Sequence, residues 1–352
     1  ALVRQLEEDE KGYSPKLWKK MADLGWMGLI FPEKYGGTEM DFMSLIILCE
    51  EMGRNILPGP FFSTVILCGN AILDSGTDAQ KDEYLTKIAS GDIIMSWVQT
   101  EPTNTWGAGG IEVKAVADKD DFVINGTKLF VADAHIADWM IVVTRTKGGA
   151  KPEDGVTLFL VDAKSPGITA IPQPTVGMDK LCEVNFKDVK VPKGNIIGKL
   201  DKGWEVVEKT LLKASACKCI ESVGAMQETV DMTNAYIKDR VQYGRPLASF
   251  QVLQFDMANA LIKTTTLREL TYRAAWEAGE GLPEAATDVA MAKSWMNDSF
   301  YWVVERGVQL HGAIGTTRDH DMGLYYRRSK CAECQFGDSD FLKEKIAKDI
   351  GL

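Results

Sequence analysis

The feature that most constrains this sequence is a change in its hydrophobic period, which occurs twice along the chain. Residues 1–95 and 203–352 repeat apolar side chains at helical spacing, whereas residues 96–202 carry short β-branched and aromatic runs between turn residues. Each kind of element must bury its apolar face against another element. The order predicts an α+β multidomain protein: an α-helical N-terminal domain (1–95), a β-barrel-like middle domain (96–202) and a C-terminal four-helix bundle (203–352).

Local signals place the elements of the N-terminal region. Ser14 precedes Pro15, the order of a helix cap followed by the first helical residue. A second helix is expected from Phe42, ending before Gly53. Asp78 is expected to cap a later helix.

In the middle region, Asn125-Gly126 stands between two strand-like runs and predicts a tight hairpin turn there. Long helical patterns then occupy roughly 204–240, 249–278 and 283–311, and a further helix is predicted from about Met322.

Composition excludes several classes of function. The net charge is −10 and the Lys and Arg residues form no block, so a nucleic-acid binder is disfavoured. No apolar run reaches the roughly 18 residues of a membrane span. The seven cysteines are irregularly spaced, and Cys331 and Cys334 lack the second pair that a zinc site needs. No metal is therefore expected, and a reducing compartment, such as the cytoplasm, is predicted.

Six short segments, in order along nearly the whole chain, resemble those of the acyl-CoA dehydrogenase family, FAD flavoproteins that dehydrogenate acyl-CoA thioesters. They are Leu24-Gly-Trp26 with Phe31-Pro-Glu-Lys-Tyr-Gly-Gly37, Gln99-Thr-Glu-Pro102, Ile124-Asn-Gly-Thr-Lys-Leu-Phe130, Val189-Lys-Val-Pro192 with Gly198, Arg240-Val-Gln-Tyr-Gly-Arg-Pro246 with Phe250-Gln251, and Gln309-Leu-His-Gly312 with Gly315. The family begins one helix earlier, so further residues are expected before Ala1.

The resemblance implies an FAD site. Gln99 and Thr100 match residues whose backbone and hydroxyl groups meet N5, O4 and the pyrimidine edge of the flavin. Phe130 matches an aromatic residue stacked on the isoalloxazine, although a core aromatic of the hairpin remains an alternative.

Other segments match residues that bind the rest of FAD. Arg240, Gln242 and Tyr243, followed by Gln251, resemble the loop that holds the pyrophosphate and adenosine of a neighbouring subunit's FAD; Arg suits phosphate because its fork binds two oxygens. By itself, Arg240 would be read as a solvated charge. The resemblance assigns Gln309 and Gly312 to the adenosine site.

The sequence departs from the family where the reaction needs a base. The family's proton-abstracting Glu occupies one of two positions, which correspond here to Phe336 and Ala214, and neither side chain takes a proton. The hydroxyl that normally meets flavin N5 corresponds to Ala132. The usual 1,2-dehydrogenation therefore does not follow from the resemblance alone.

Two hypotheses remain open. In the first, the chain is an active FAD enzyme with a displaced base; the weak candidates are Asp338, Asp340 and Glu221, each of which could equally be a surface or capping charge. The substrate pocket would then include Ser63, Thr64 and Phe336. Its floor, near Pro60 to Thr64, offers no carboxylate, and a cyclic acyl-CoA is one possible substrate.

In the second hypothesis, the chain is a base-lacking partner subunit in a mixed assembly, FAD-binding or structural only. The resemblance further implies a homotetramer or dimer of dimers, and an electron-transferring flavoprotein as electron acceptor. A helical scaffold without a ligand is the remaining alternative class.

Overall fold

The computed structural model describes residues 1–103 and 105–352. The chain forms two compact units, one of Ala1–Met40 with Pro58–Leu211 and the other of Asp41–Leu57 with Leu212–Leu352. Because these units group the helix at 42–54 with C-terminal segments, they differ from the division at 95/96 and 202/203, and that three-domain division stays a prediction.

The helices follow the predicted order. They are α1 (Leu2–Glu8), α2 (Pro15–Asp23), α3 (Phe42–Arg54), α4 (Asn70–Ser75), α5 (Asp78–Gln80), α6 (Thr86–Ala89), α7 (Trp204–Asp239), α8 (Gln251–Glu280), α9 (Ala285–His311), α10 (Met322–Glu333) and α11 (Ser339–Asp349). Two π-helical segments, Phe62–Gly69 and Lys81–Leu85, lie next to α4 and α6. Short 3-10 turns span Trp26–Gly28, Glu33–Tyr35, Ala108–Gly110, Lys193–Asn195, Leu247–Ser249 and Gly312–Thr316.

Eight strands form one sheet in the first unit. They are β1 (Met95–Val98), β2 (Lys114–Asp118), β3 (Asp121–Ala132), β4 (Trp139–Arg145), β5 (Val156–Asp162), β6 (Ile168–Gln173), β7 (Leu181–Pro192) and β8 (Ile196–Ile197). The order is β6-β7-β3-β2-β4-β5-β8, with β1 pairing in parallel with β4. The inward side chains of these strands build a continuous apolar core that includes Phe122, Ile124, Val142 and Phe159. The predicted β domain is confirmed.

The helix caps agree with the sequence at one start and differ at another. The Ser14 hydroxyl accepts a hydrogen bond from Leu17 N, as predicted. Asp78 does not cap α5, so that prediction was wrong. Thr77 does, because its hydroxyl accepts from Gln80 N at 3.2 Å while the Gln80 side chain accepts from Thr77 N at 2.9 Å.

The predicted turn at Asn125-Gly126 was wrong. Both residues lie inside β3, which continues to Ala132, and the turn into β3 falls at Lys119 and Asp120. Pairing with the equally long β7 keeps the strand extended, and the positive φ of Gly126 (140°) accompanies a register shift between the two strands. The Asn-Gly pair, which is typical of hairpin turns, therefore lies at a bulge within a continuous strand.

The second unit contains α3, most of α7, and α8 to α11. The helical C-terminal domain is confirmed, with α11 as an additional helix that the periodicity did not predict. Gly53 was expected to end its helix, but α3 continues through it to Arg54. Among the described residues, no helix combines the length and the apolar character needed to cross a membrane.

Candidate active site

Gln99 and Thr100 follow β1 directly, and β3 holds both of their carbonyl groups. The Gln99 carbonyl accepts a hydrogen bond from Lys128 Nζ at 2.8 Å, and the Thr100 carbonyl accepts one from Leu129 N at 2.9 Å. The Gln99 side chain accepts a bond from Trp97 Nε1 at 2.9 Å. Since the described peptide bonds are trans, the Thr100 N–H points away from the strand that holds the Gln99 carbonyl.

Phe130 projects from a bulge in β3. The pairing with β7 shifts between Lys128 and Val131, and Phe130 has a φ of 54°. Its side chain is 55% exposed, so it is not a core aromatic, which removes that alternative interpretation. An open aromatic face and an outward N–H on the adjoining segment fit a cofactor with a flat apolar ring and a polar edge.

Ser63 and Thr64 lie on the π-helical segment beside β1. Thr64 Oγ1 accepts from Met95 N at 2.9 Å and so joins the segment to the strand. Ser63 is 2% exposed, and its hydroxyl lies 2.6 Å from Asp133 Oδ2. The segment itself carries no carboxylate, but the fold brings that of Asp133 to it; the contact joins positions far apart in sequence, which no local pattern could reveal.

The end of β3 fixes Asp133. The residue follows Ala132, whose carbonyl accepts from Ser96 Oγ at 2.8 Å. Asp133 N donates to Lys180 O at 2.9 Å, and its φ of 60° turns the chain out of the strand. Two contacts to the sheet thus hold the backbone that carries this carboxylate.

Ala214 and Phe336, which the sequence resemblance aligns with the family's usual base, lie in the second unit. Ala214 is fully buried on α7, and Phe336 lies between α10 and α11 with a φ of 59°. The next carbonyl, that of Gly337, accepts hydrogen bonds from Lys293 Nζ at 3.2 Å and Asn297 Nδ2 at 3.3 Å. Lys293 is fully buried, and desolvation lowers its pKa to about 8. These contacts hold the backbone of the Phe336 loop.

The three candidate bases predicted from the sequence are a helix cap, an exposed side chain and a member of an ion pair. Asp338 caps α11 by accepting from Phe341 N at 2.8 Å, and Asp340 is exposed in the first turn of the same helix. Glu221 is ion-paired with Lys218 and lines a cavity of about 10 Å³, the size for one water molecule.

The remaining predicted FAD residues lie in the second unit. Strands β9 (Val241–Gln242) and β10 (Arg245–Pro246) pair around Tyr243-Gly244, whose positive φ values of 54° and 77° form a two-residue hairpin turn. Tyr243 is 90% exposed, and Arg240, Gln242 and Gln251 are exposed too. Gln309 and Gly312 are exposed at the end of α9. Gln99, Thr100 and Phe130 belong to the first unit.

Comparison with known proteins decides the family. The models of the acyl-CoA dehydrogenase N-terminal, middle and C-terminal domains match residues 1–92, 96–189 and 201–351. The chain belongs to the acyl-CoA dehydrogenase family. Members of this family are flavin-dependent oxidoreductases, so the predicted enzyme class is confirmed.

Relatives within the family are similar over almost the entire chain. The 3-(aryl)acrylate reductase of Clostridium sporogenes is 32% identical over 98% of this chain and 92% of its own length. The caffeyl-CoA reductase-Etf complex subunit CarC of Acetobacterium woodii is 30% identical over 91% and 86%. The structure of butyryl-CoA dehydrogenase from Megasphaera elsdenii superposes with a TM-score of 0.91 at 29% identity, covering 99% and 94% of the two chains.

Three residues of the candidate site were not identified from the sequence. Asp133 was missed because only the fold brings it to Ser63. Lys128 and Lys293 were also missed, and the structure buries both side chains completely. A lysine among apolar neighbours on a strand or helix was the available signal, since lysine is almost never fully buried without a partner.

Proposed function

We propose that this chain is an FAD-dependent oxidoreductase that exchanges a hydride between an acyl-CoA thioester and the flavin, using a base other than the family's usual Glu. The observation that carries the proposal is the exposed ring of Phe130, in a member of this family, on the strand whose Lys128 and Leu129 hold the carbonyl groups of Gln99 and Thr100. FAD, when bound, accepts or returns the hydride.

The chain's own residues would orient the reactants. Gln99 and Thr100 hold the polar edge of the flavin, and Phe130 covers its apolar face. The backbone N–H at Phe336, in a loop whose next carbonyl Lys293 holds, is suited to a thioester oxyanion. The segment that carries the buried Ser63 and Thr64 is proposed to form the floor of the acyl pocket.

The proposed base is Asp133. A carboxylate that accepts a 2.6 Å hydrogen bond from the buried Ser63 has a defined orientation, and general acid–base catalysis requires such positioning. In oxidation this carboxylate takes the α-proton, and in reduction it returns the proton to the same carbon. Asp338, Asp340 and Glu221 are weaker candidates because of the contacts and positions described above.

Both saturated and α,β-unsaturated thioesters are candidate substrates. The relatives include a subunit of a caffeyl-CoA reductase-Etf complex and a butyryl-CoA dehydrogenase, whose names describe a reduction and an oxidation of acyl-CoA compounds. Cyclic and aryl acyl groups belong to the candidate set.

Assembly and electron transfer follow the same proposal. Helices α8 and α9 expose several large apolar side chains, which is typical of a protein interface; they are Val252, Phe255, Ile262, Trp276, Met291 and Trp295. We infer a homotetramer or dimer of dimers in which the Arg240 loop binds the FAD of a neighbouring chain. The similarity to a subunit of an Etf complex supports an electron-transferring flavoprotein as redox partner.

A second candidate function is that of a base-lacking partner subunit in a mixed assembly. Ala214 and Phe336 favour it, because neither can take a proton at the positions where the family places its base. Such a subunit would bind FAD or acyl-CoA without turnover by itself.

Titration of the purified single chain with acyl-CoA separates these functions. An active enzyme should be yellow, and saturated or α,β-unsaturated acyl-CoA at up to about millimolar concentration should perturb its flavin spectrum and support turnover with an artificial redox dye. A spectral change without turnover indicates the partner subunit. A colourless chain that binds no added FAD contradicts the enzyme and the FAD-binding partner subunit, and leaves only a structural partner subunit.

A further inference from the structure

Lys128 is a buried cation beside the Gln99–Glu101 segment of the candidate flavin site. Its side chain is 0% exposed, and its Nζ lies 2.6 Å from Glu101 Oε1 and 2.8 Å from the Gln99 carbonyl oxygen. Burial lowers the pKa of Lys128 to about 8, against the opposing effect of Glu101, so the side chain is still protonated at neutral pH.

Glu101 extends this contact to a third segment. Its carboxylate accepts hydrogen bonds from Glu112 N at 2.9 Å and Val113 N at 3.1 Å. The ion pair therefore joins β3, the Gln99–Glu101 segment and the two residues that precede β2. Taking two charges out of water is costly, and an apolar pair would often be at least as stable. Stability alone is thus a poor reason for this pair.

The geometry gives the pair a different use. A trans peptide places its C=O and N–H on opposite sides, so the ammonium that holds the Gln99 carbonyl also aims the Thr100 N–H. Leu129 N holds the next carbonyl, that of Thr100, in the same way at 2.9 Å. A cation on a carbonyl also polarises the peptide, which strengthens its N–H as a donor.

We propose that Lys128 is a positioning residue for the flavin: it aims the Thr100 N–H at the polar edge of the ring and, through the charge it places on the Gln99 carbonyl, favours the more electron-rich reduced flavin. This inference rests on the proposed FAD function and adds a residue that tunes the flavin's reduction potential without touching it.

The test compares the flavin potentials of purified holoenzymes. Lys128→Met with Glu101→Gln removes both charges together and keeps an acceptor for Glu112 N and Val113 N. We expect affinity for oxidised FAD to fall about tenfold and for reduced FAD about a hundredfold, within the range for hydrogen bonds to charged groups. This tenfold difference lowers the two-electron potential by about 30 mV.

Two further variants complete the test. Val161→Ala removes buried volume from the same β core without touching Gln99, and its potential should equal that of the wild type. Lys128→Gln with Glu101→Gln keeps a neutral donor, and serves if the first variant does not fold; its potential should fall while most FAD affinity remains. If a folded double variant without the Lys128 and Glu101 charges keeps the wild-type potential and FAD affinity, the inference is wrong while the proposed function stands. Failure of the wild type to bind FAD would overturn the proposed function and the inference with it.

Discussion

Gly53 of α3 lies directly against the backbone of Glu221 on α7. A Cβ atom at Gly53 would be 1.8 Å from the Glu221 carbonyl oxygen, and one at Gly224 would be 1.9 Å from the Glu50 carbonyl oxygen. The two helices therefore cross in backbone contact, and only glycine fits at either position. This crossing fixes the middle of α7, the helix that also carries Ala214.

Gly53→Ala should destabilise the protein. Alanine is the better helix former by about 1 kcal/mol, but the clash with Glu221 requires the helices to separate, at a cost of about 1–3 kcal/mol or more. Denaturant unfolding should show a net loss. Gly323→Ala on α10 is the matched control, because its Cβ would be 3.7 Å from the Arg327 side chain; it should be neutral or stabilising. Equal stability of Gly53→Ala and the wild type would contradict the close crossing.

Arg240→Ala should weaken FAD retention. The exposed guanidinium beside the β9–β10 hairpin is proposed to hold the cofactor's pyrophosphate, and a hydrogen bond to a charged group contributes about 1–3 kcal/mol. Flavin occupancy after extensive dialysis measures the effect. Lys238 is an exposed cation in the last turn of α7, two residues before Arg240, and the Lys238→Ala variant should retain full flavin occupancy. Full occupancy in Arg240→Ala would remove this residue from the FAD site.

Asp133→Asn should abolish most turnover while keeping the fold and the flavin. The amide can still accept the hydrogen bond from Ser63 but takes no proton, so kcat should fall by about 10² to 10⁴, the usual contribution of a general base. Asp340→Asn, at an exposed position of α11, should leave kcat unchanged. If Asp133→Asn turns over at the wild-type rate, the base is another residue.

Phe336→Glu should restore a carboxylate at the position the family uses. Its surroundings would raise the carboxyl pKa toward the working pH, and α,β-dehydrogenation of saturated acyl-CoA should increase measurably over the wild-type rate. Burying a carboxylate can cost stability, so folding and FAD content are measured first. Phe336→Gln, with the same shape and no charge, should gain nothing. A folded, flavinated Phe336→Glu without any gain would show that another residue occupies the family's base position.

Lys293 should make the stability of the protein rise between about pH 8 and 10.5. Burial lowers the pKa of Lys293 from 10.5 to about 8, so within this window the unfolded chain binds a proton that the folded chain has released. Stability then increases with pH, by up to about 3 kcal/mol for this group, and is lowest below pH 8.

Denaturant unfolding of the wild type and of Lys293→Met across that window isolates this effect, because other titrating groups are common to both. The stability difference between the two proteins should shift in favour of the wild type as pH rises. A difference that stays constant from pH 7 to 10.5 would mean that Lys293 titrates normally.

The types of the elements and their order could be predicted from local sequence. The apolar period of 204–240 predicted α7, which spans Trp204–Asp239, and the β-branched and aromatic runs of residues 96–202 predicted a domain of strands there. The motifs around Gln99, Phe130 and Arg240 were enough to indicate the family. These features are local, so neighbouring residues suffice to encode them.

The contacts of the individual residues of the candidate site depend on the fold and could not be predicted from local sequence. Asn125-Gly126 reads locally as a turn, but β3 pairs along its length with β7 and stays extended. Asp133 reaches Ser63, and Lys128 reaches Glu101, across long stretches of sequence. The physical reason is that burial and strand pairing act between segments distant in sequence, and their combined free energy exceeds the preference of any single turn or charged side chain.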